Sequence, residues 1–331
     1  MKIRLGIIGT GIAAHQLHLP ALRELSDKYE IAVVCSRNEE RASAYAKLVG
    51  GVPYVLDYRD VLKRSDVDAV DIMLPIELNY QVARDALKAG KHVVVEKPLA
   101  TSLADARRLV ALAEASPKVA MLAENFRYRP AYLMAKSIVD SGQIGEPRSV
   151  VVIVAALMDE NNEYAQTTWR IHHKYPGGFV TDAGVHQIGA LRTIFGDIES
   201  GFGYTQQINP ALGEMDTAHM VFRTRRGVDI SLQMSFSVHG HSEDRLLIMG
   251  TRGSMAVNPD RIGVLPDGGE LKYYPTPKSM GYREEFEDFH LAVSTGSKPL
   301  SSFLEGYKDL EVILKAVQAS QQGRPFRIAA D

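Results

Sequence analysis

The chain is 331 residues long, with a formal net charge of −2, 45% hydrophobic residues and 24% charged residues. That composition belongs to a folded globular protein of about two domains and is too apolar for a disordered one. The balanced charge excludes the basic face of a general nucleic-acid binder, and no window approaches the roughly 20 apolar residues of a membrane-spanning helix. Cys35 is the only cysteine, which excludes disulfide scaffolds and thiolate zinc clusters and fits a reducing, cytoplasmic setting. The opening Met1 to Gly6 is charged and lacks the apolar core of a secretory signal.

The first 125 residues alternate between strand and helix patterns. Ile3 to Ile8 is an apolar run ending in Gly9-Thr10-Gly11, which predicts a buried strand. A helical pattern follows, interrupted at Leu19-Pro20. Further strands are expected at 31–35, within 67–74, at 92–95 and at 119–122, with helices over 39–48 and 79–89. Ser102, with Asp105 three residues on, caps another helix, whose apolar positions Ala106, Leu109, Val110 and Ala113 share a face. Repeated β-α-β units of this length predict a doubly wound parallel sheet of the Rossmann type over residues 1–124.

After residue 125 the rhythm changes. Residues 149–157 read as a long apolar strand. Residues 228–238 alternate apolar and polar over eleven positions, as in a strand with one wetter face. Shorter strands follow at 245–249 and 254–257. Strands without intervening helices imply antiparallel pairing. A closing helix runs over 302–320, with a Ser302…Glu305 capping box and Gly323 just past its end. Residues 125–331 are therefore expected to form an α+β domain on a large, mainly antiparallel open sheet.

Gly9-Thr10-Gly11-Ile12-Ala13-Ala14 fits G-x-G-x-x-A between a strand and a helix. Gly9 allows the tight turn, Gly11 lets backbone approach a pyrophosphate, and Ala14 permits close helix–strand packing. The helix N-terminus offers N–H groups to the phosphates. At the end of the second strand, where NAD enzymes place an acid, stand Ser36 and Arg37, with Arg41 a turn further on. A hydroxyl and guanidinium groups suit a 2′-phosphate, which favours NADP. NAD stays open through Glu39 or Glu40, with Arg37 and Arg41 as solvated charges.

Glu96-Lys97-Pro98 follows the fourth strand at the carboxyl edge, where open α/β sheets bind ligands. A lysine there can hydrogen-bond a reacting hydroxyl as negative charge develops on it. The second chemical cluster is Gly177-Gly178 with Asp182 and His186, four residues apart and on one helical face. Histidine suits proton transfer near neutral pH, and a carboxylate can orient it or bind substrate. Trp169 and Arg170 precede the glycine pair and can line a pocket, although the indole can equally pack in the core. Tyr282 and Arg283, before a later helix, are weaker candidates of the same kind. His172, His173, His239 and His241 lack the neighbours of a metal set, so no metal is expected.

Taken in order, Gly9-x-Gly11-x-x-Ala14, Glu96-Lys97-Pro98 and Gly177-Gly178 with Asp182-x-Gly184-x-His186 resemble the Gfo/Idh/MocA family of sugar and polyol dehydrogenases. Leu74-Pro75 and Asn125-Phe126-Arg127-Tyr128-Arg129-Pro130 look like the same family. The resemblance implies hydride exchange between a nicotinamide and a carbonyl or secondary alcohol, with Lys97, Asp182 and His186 as the catalytic set. It places cofactor contacts at Gly9, Thr10, Gly11, Ile12, Ala13, Ser36, Arg37, Arg41, Leu74, Pro75, Asn79, Glu96, Lys97 and Asn125. Substrate contacts are expected at Lys97, Arg127, Trp169, Arg170, Asp182, His186 and Tyr282. It further implies a homodimer or homotetramer formed through the C-terminal sheet. Two positions depart from the family: Gly189 stands where an aspartate is usual, and Asn79 where a histidine is usual. The leading expectation is an NADP-preferring enzyme of sugars, cyclitols or related polyols. An NAD-dependent glycosidase using transient sugar oxidation and a catalytically silent sugar sensor are the alternatives.

Overall fold

Residues 2–329 are described by the structure, a computed structural model. The apolar runs of the N-terminal part form six parallel strands: β1 (Ile3–Ile8), β2 (Tyr29–Cys35), β3 (Tyr54–Val55), β4 (Ala69–Ile72), β5 (His92–Glu96) and β6 (Ala120–Ala123). Their order is β3-β2-β1-β4-β5-β6, which reverses at β1/β4 as in a doubly wound dinucleotide fold. Val93, Val94 and Val95 have no exposed surface, as expected for a sheet covered on both faces. Between the strands run α1 (Leu19–Glu24), α2 (Glu39–Leu48), α3 (Tyr58–Leu62), α4 (Ile76–Lys88) and α5 (Leu103–Glu114). Asn38 caps α2 by accepting the Arg41 N–H, and Ser102 caps α5 by accepting that of Asp105.

The expected interruption at Leu19-Pro20 is absent. A π turn over Ala14–His18 runs directly into α1, with the Leu19 N–H bonded to the Ala14 carbonyl. Pro20 falls in the first α turn, where its missing N–H costs nothing.

The chain then builds a second sheet. After α6 (Pro130–Asp140) come β7 (Pro147–Ala155), the one-turn α7 (Thr168–Ile171) and α8 (Gly178–Phe195). The remaining strands are β8 (Ile198–Gln206), β9 (Thr217–Thr224), β10 (Asp229–Ser235), β11 (Glu243–Gly250), β12 (Gly253–Asn258), β13 (Arg261–Pro266) and β14 (Lys272–Pro275). A short β15 (Phe326–Arg327) completes nine strands ordered β14-β13-β12-β11-β7-β10-β9-β8-β15. All neighbours are antiparallel except β7 and β10, which pair in parallel because α8 and the β8–β9 hairpin intervene in the chain. The sheet is thus mixed and mostly antiparallel. Along β9, buried Met220 and Phe222 alternate with exposed His219 and Val221, the pattern of a sheet with one covered face.

Two helices close the chain, α9 (Tyr282–Thr295) and α10 (Phe303–Gln322). Their placement revises the boundaries expected from sequence. One compact unit is Met1–Asn125 with Gly281–Tyr307; the other is Phe126–Met280 with Lys308–Asp331. The segment containing α9 belongs with the Rossmann sheet because Phe286 and Phe289, both without exposed surface, lie in the same core as Ile3, Leu5 and Tyr29. The Tyr29 hydroxyl donates to the Phe286 carbonyl at 2.5 Å.

Candidate functional site

In the first unit, the glycine turn has the shape a dinucleotide needs. Gly9 has φ 108°, and a Cβ there would lie 2.1 Å from the Met73 carbonyl oxygen, so only glycine fits. A Cβ on Gly11 would meet nothing within 4 Å. The space above that backbone is therefore open, at the start of the helical segment, which is where a pyrophosphate is held. Ala14 is fully buried, as the close-packing third position requires, and its carbonyl accepts the Tyr45 hydroxyl at 3.0 Å. Thr10 is buried, while Ile12 and Ala13 are half-buried.

At the end of β2, Ser36 is half-buried and Arg37 and Arg41 are exposed. Glu39 accepts a hydrogen bond from the Tyr54 hydroxyl at 3.3 Å. Cys35 is buried, and burial pushes its thiol up to about 12, which makes it an unreactive core residue. After β4, Leu74 and Pro75 are half-buried, and Pro75 caps α4. Asn125, at 1% exposure, opens a single 3-10 turn.

The Glu96-Lys97-Pro98 segment is braced from below. Asn79 has no exposed surface, and its Nδ2 donates to the Glu96 carbonyl at 2.7 Å and to the Pro98 carbonyl at 2.8 Å. The expectation that Asn79 touches the cofactor is corrected accordingly: its amide nitrogen is committed to the loop that carries Lys97. Lys97 itself is half-buried and precedes a cis proline. Tyr282 opens α9 in the first unit, packs on that core and lies 6.0 Å from the His18 ring.

In the second unit, α8 presents Asp182 and His186 one turn apart. Half of the glycine signature is packing. Gly177 has φ 86°, and a Cβ there would clash with Thr181 Oγ1 at 2.4 Å; one on Gly184 would strike Ile313 Cδ1 of α10 at 2.7 Å. Asp182 is 5% exposed, and its Oδ2 accepts from Arg170 Nε at 2.7 Å. The Arg170 guanidinium lies 4.0 Å from the Trp169 ring centroid and 5.1 Å from that of Tyr164. Trp169 is half-buried on the one-turn α7, so its indole is not a core side chain. The structure thus joins Trp169, Arg170 and Asp182 in one cluster.

His186 lines a cavity of about 280 Å³ with Phe126, Ala155, Ala183, Gln187 and Asp244 among its walls. Its imidazole stacks on Phe126 at 4.6 Å with 18° between planes, and the Arg129 guanidinium covers Phe126 at 3.3 Å. Sequence reasoning missed this stack. Its signal was the Phe126-x-x-Arg129 spacing within a motif read only for resemblance.

Arg127 requires correction. At 2% exposure, its Nη2 donates to both carboxylate oxygens of Asp309 at 2.7 and 2.6 Å, and Nη1 donates to Thr193 Oγ1 at 3.0 Å. This is a buried structural ion pair and not a substrate contact. Gly189 is buried in α8, and its carbonyl accepts the Thr193 hydroxyl, so no carboxylate stands there.

Among the described residues, no cluster of three or more metal-ligating side chains occurs and no helix is long and apolar enough to cross a membrane. His173 is instead used within the fold, with Nδ1 at the Tyr175 carbonyl and Nε2 accepting the Glu214 N–H.

The sequence matches two family models. Residues 3–124 match the oxidoreductase family with an NAD-binding Rossmann fold, and residues 132–256 match the GFO/IDH/MocA C-terminal domain. An oxidoreductase from Thermotoga maritima, known from a crystal structure, is 39% identical with a TM-score of 0.94, covering 99% of this chain and 98% of that one. A dehydrogenase of Fusarium mangiferae is 30% identical over 94% of each chain. A dTDP-3,4-didehydro-2,6-dideoxy-alpha-D-glucose 3-reductase of Actinomadura kijaniata is 31% identical over 77% of this chain and 74% of its own. The chain belongs to the Gfo/Idh/MocA family of nicotinamide-dependent oxidoreductases.

Proposed function

We propose that this enzyme prefers NADP and acts on a sugar, cyclitol or related polyhydroxy alcohol or ketone. The observation that carries this reading is His186, an acid–base group on the wall of a ligand-sized cavity, one turn after an arginine-paired aspartate. Similarity to a reductase of a keto-sugar nucleotide supports a sugar-like substrate. Gly9, Thr10, Gly11, Ile12 and Ala13 would hold the pyrophosphate, with Ser36, Arg37 and Arg41 at the adenosine ribose. Both guanidinium groups are exposed and neither makes an ion pair among the described residues, which supports a 2′-phosphate as their partner.

The bound nicotinamide supplies the two-electron acceptor or donor. His186 accepts the hydroxyl proton of an alcohol substrate at an imidazole nitrogen and returns it in the reverse direction. Lys97 donates a hydrogen bond from Nζ to a reacting oxygen and offsets its developing negative charge. Asp182, held by Arg170, fixes a substrate hydroxyl, and the half-buried Trp169 offers an apolar face to a ring. The outward face of the second sheet, with exposed Tyr204, Val221, Leu265 and Tyr273, supports association of two copies.

The test is NADPH absorbance with a panel of keto-sugars and polyols, alongside titration of NADP and NAD. Turnover with tighter NADP binding is expected. Ser36→Asp with Arg37→Ala should move preference towards NAD by about ten- to a hundredfold, the worth of one charge-assisted contact. Aglycone release from a glycoside without net NADPH consumption would identify a glycosidase instead. Sugar binding without any turnover would identify a sensor.

A further inference from the structure

One buried histidine lies beneath the Glu96-Lys97-Pro98 segment and has no place in the chemistry above. The π turn over Ala14–His18 begins just past the glycine turn and swings His18 inward, where it has no exposed surface. Such turns recur at functional sites because the extra residue redirects a side chain. His18 Nδ1 lies 2.9 Å from Asp71 Oδ2, and its Nε2 lies 3.2 Å from Glu96 Oε1. Asp71, on β4, is likewise fully buried. Ionised carboxylates only accept hydrogen bonds, so a ring facing one at each nitrogen carries both protons. Burial alone would lower the pKa of His18, but the Asp71 charge and hydrogen bond, joined by Glu96, outweigh it and hold the imidazolium well above its ordinary value.

Glu96 passes this constraint on. Its Oε2 accepts the Lys97 N–H at 3.0 Å, while Asn79 grips the Glu96 and Pro98 carbonyls. The backbone on either side of Lys97 is therefore pinned by the fully buried Asn79 and by Glu96, whose side chain is only 13% exposed. The chain of contacts runs from the helix that starts at the phosphate-binding turn, through His18 and Glu96, to the lysine.

We propose that His18 and Glu96 are positioning residues for Lys97, tying the placement of its ammonium group to the dinucleotide-binding helix. The inference rests on the reading of Lys97 as catalytic. Small misplacements of a reacting group cost rates disproportionately, which is why a buried brace here matters.

Glu96→Gln tests it with little change in shape. One face of the amide then presents N–H to a donor, so either the His18 or the Lys97 contact is lost. We expect kcat to fall about 10- to 100-fold with KM for the dinucleotide nearly unchanged. In a Lys97→Ala background the same substitution should have no further effect on the residual rate, because residues acting through one group are not additive. Nitrogen-15 spectra of the cofactor-free protein should show protons on both His18 ring nitrogens at neutral pH, with the Nε2 signal shifted or lost in Glu96→Gln. His18→Asn should match Glu96→Gln; should it unfold on thermal melting, Glu96→Gln alone decides. Equal losses in the parent and Lys97→Ala backgrounds, an unchanged kcat, or a singly protonated His18 would overturn the proposal while leaving the catalytic reading intact. Full activity in Lys97→Ala would overturn the catalytic reading first and this inference with it.

Discussion

Two buried ionic networks sit in this chain, one in each unit, and they are built on opposite plans. In the second unit, Asp309 has no exposed surface and receives Arg127 and Arg192, while Arg192 and Lys308 both reach Asp197. Each carboxylate meets two cations, in part through paired guanidinium contacts. In the first unit, one imidazolium serves Asp71 and Glu96, and Glu285 is buried beside them with neither carboxylate oxygen hydrogen-bonded. Burial pushes the Glu285 carboxyl well above its ordinary value, against a smaller opposing pull from His18. The cation-rich network ties Arg127 and α8 to α10. The other lies under the Lys97 segment. Two cations per carboxylate mark the scaffold here, and one imidazolium between two carboxylates marks the neighbourhood of Lys97.

The largest effect should come from breaking the cation-rich network. Asp309→Ala removes the buried carboxylate that Arg127 and Arg192 share and should cost about 3–5 kcal/mol of stability, read by denaturant unfolding. Turnover per folded molecule should barely change. A large loss of turnover with normal stability would erase the distinction between the networks.

His186→Ala should do the converse. General acid–base groups contribute about 10²- to 10⁴-fold, so turnover should collapse while the unfolding midpoint and NADPH binding stay close to the parent. A variant that keeps its rate removes His186 from the mechanism.

The networks should also fail at opposite ends of the pH scale. His18 has a raised folded value, so its contribution is present below its ordinary 6.5 and is lost as pH climbs through the folded value. Glu285, also raised, binds a proton in the folded state after the unfolded chain has lost it, so its cost grows as pH rises above 4.5. Asp197 is lowered to about 2; burial alone would raise it, but Lys308 and Arg192 prevail, and its contribution is lost only as pH falls through that value. Glu285→Gln should therefore flatten the alkaline decline in stability, with a gain over the parent that widens with pH. Parallel stability curves for the two proteins would refute this.

The smallest effect concerns the stack under His186. Phe126→Leu removes an aromatic contact worth about 0.5–1.5 kcal/mol and should lower kcat by less than tenfold, with a shifted pH–rate profile. An unchanged profile would mean that Phe126 is packing alone.

Legibility differed between the units for physical reasons. β1, β2, β4, β5 and β6 announced themselves because strands covered on both faces need unbroken apolar runs. The caps at Ser102 and Ser302 were equally plain, and Ser302 Oγ accepts the Glu305 N–H at 3.4 Å. β8 and β9 were not read, because a half-exposed strand such as Thr217–Thr224 dilutes its apolar positions with polar ones. The eleven-residue alternation over 228–238 resolves to seven paired residues, Asp229–Ser235. At the site, the glycine turn and the His186 helix carried short-range spacings that sequence displays directly. The His18–Asp71–Glu96 network spans 78 positions and was missed, although one sign was present: Asp71 interrupts an apolar strand, and a buried carboxylate demands a partner. Arg127 was misread because a motif position does not reveal that its partner, Asp309, lies 182 residues away.

The discontinuous first unit bears on how the molecule is made. A ribosome releases β1 to β6 long before it reaches Phe286 and Phe289, the side chains that finish that core. Residues 126–280 are, in effect, an insertion inside the nucleotide-binding half. During synthesis the N-terminal part must wait with an uncovered apolar face, the state in which nascent chains aggregate or engage chaperones. The insertion, though made second, is free to fold most of its sheet before the earlier part can close. A fragment ending at residue 125 should accordingly be insoluble where the full chain is not, and supplying residues 281–307 in trans should rescue it.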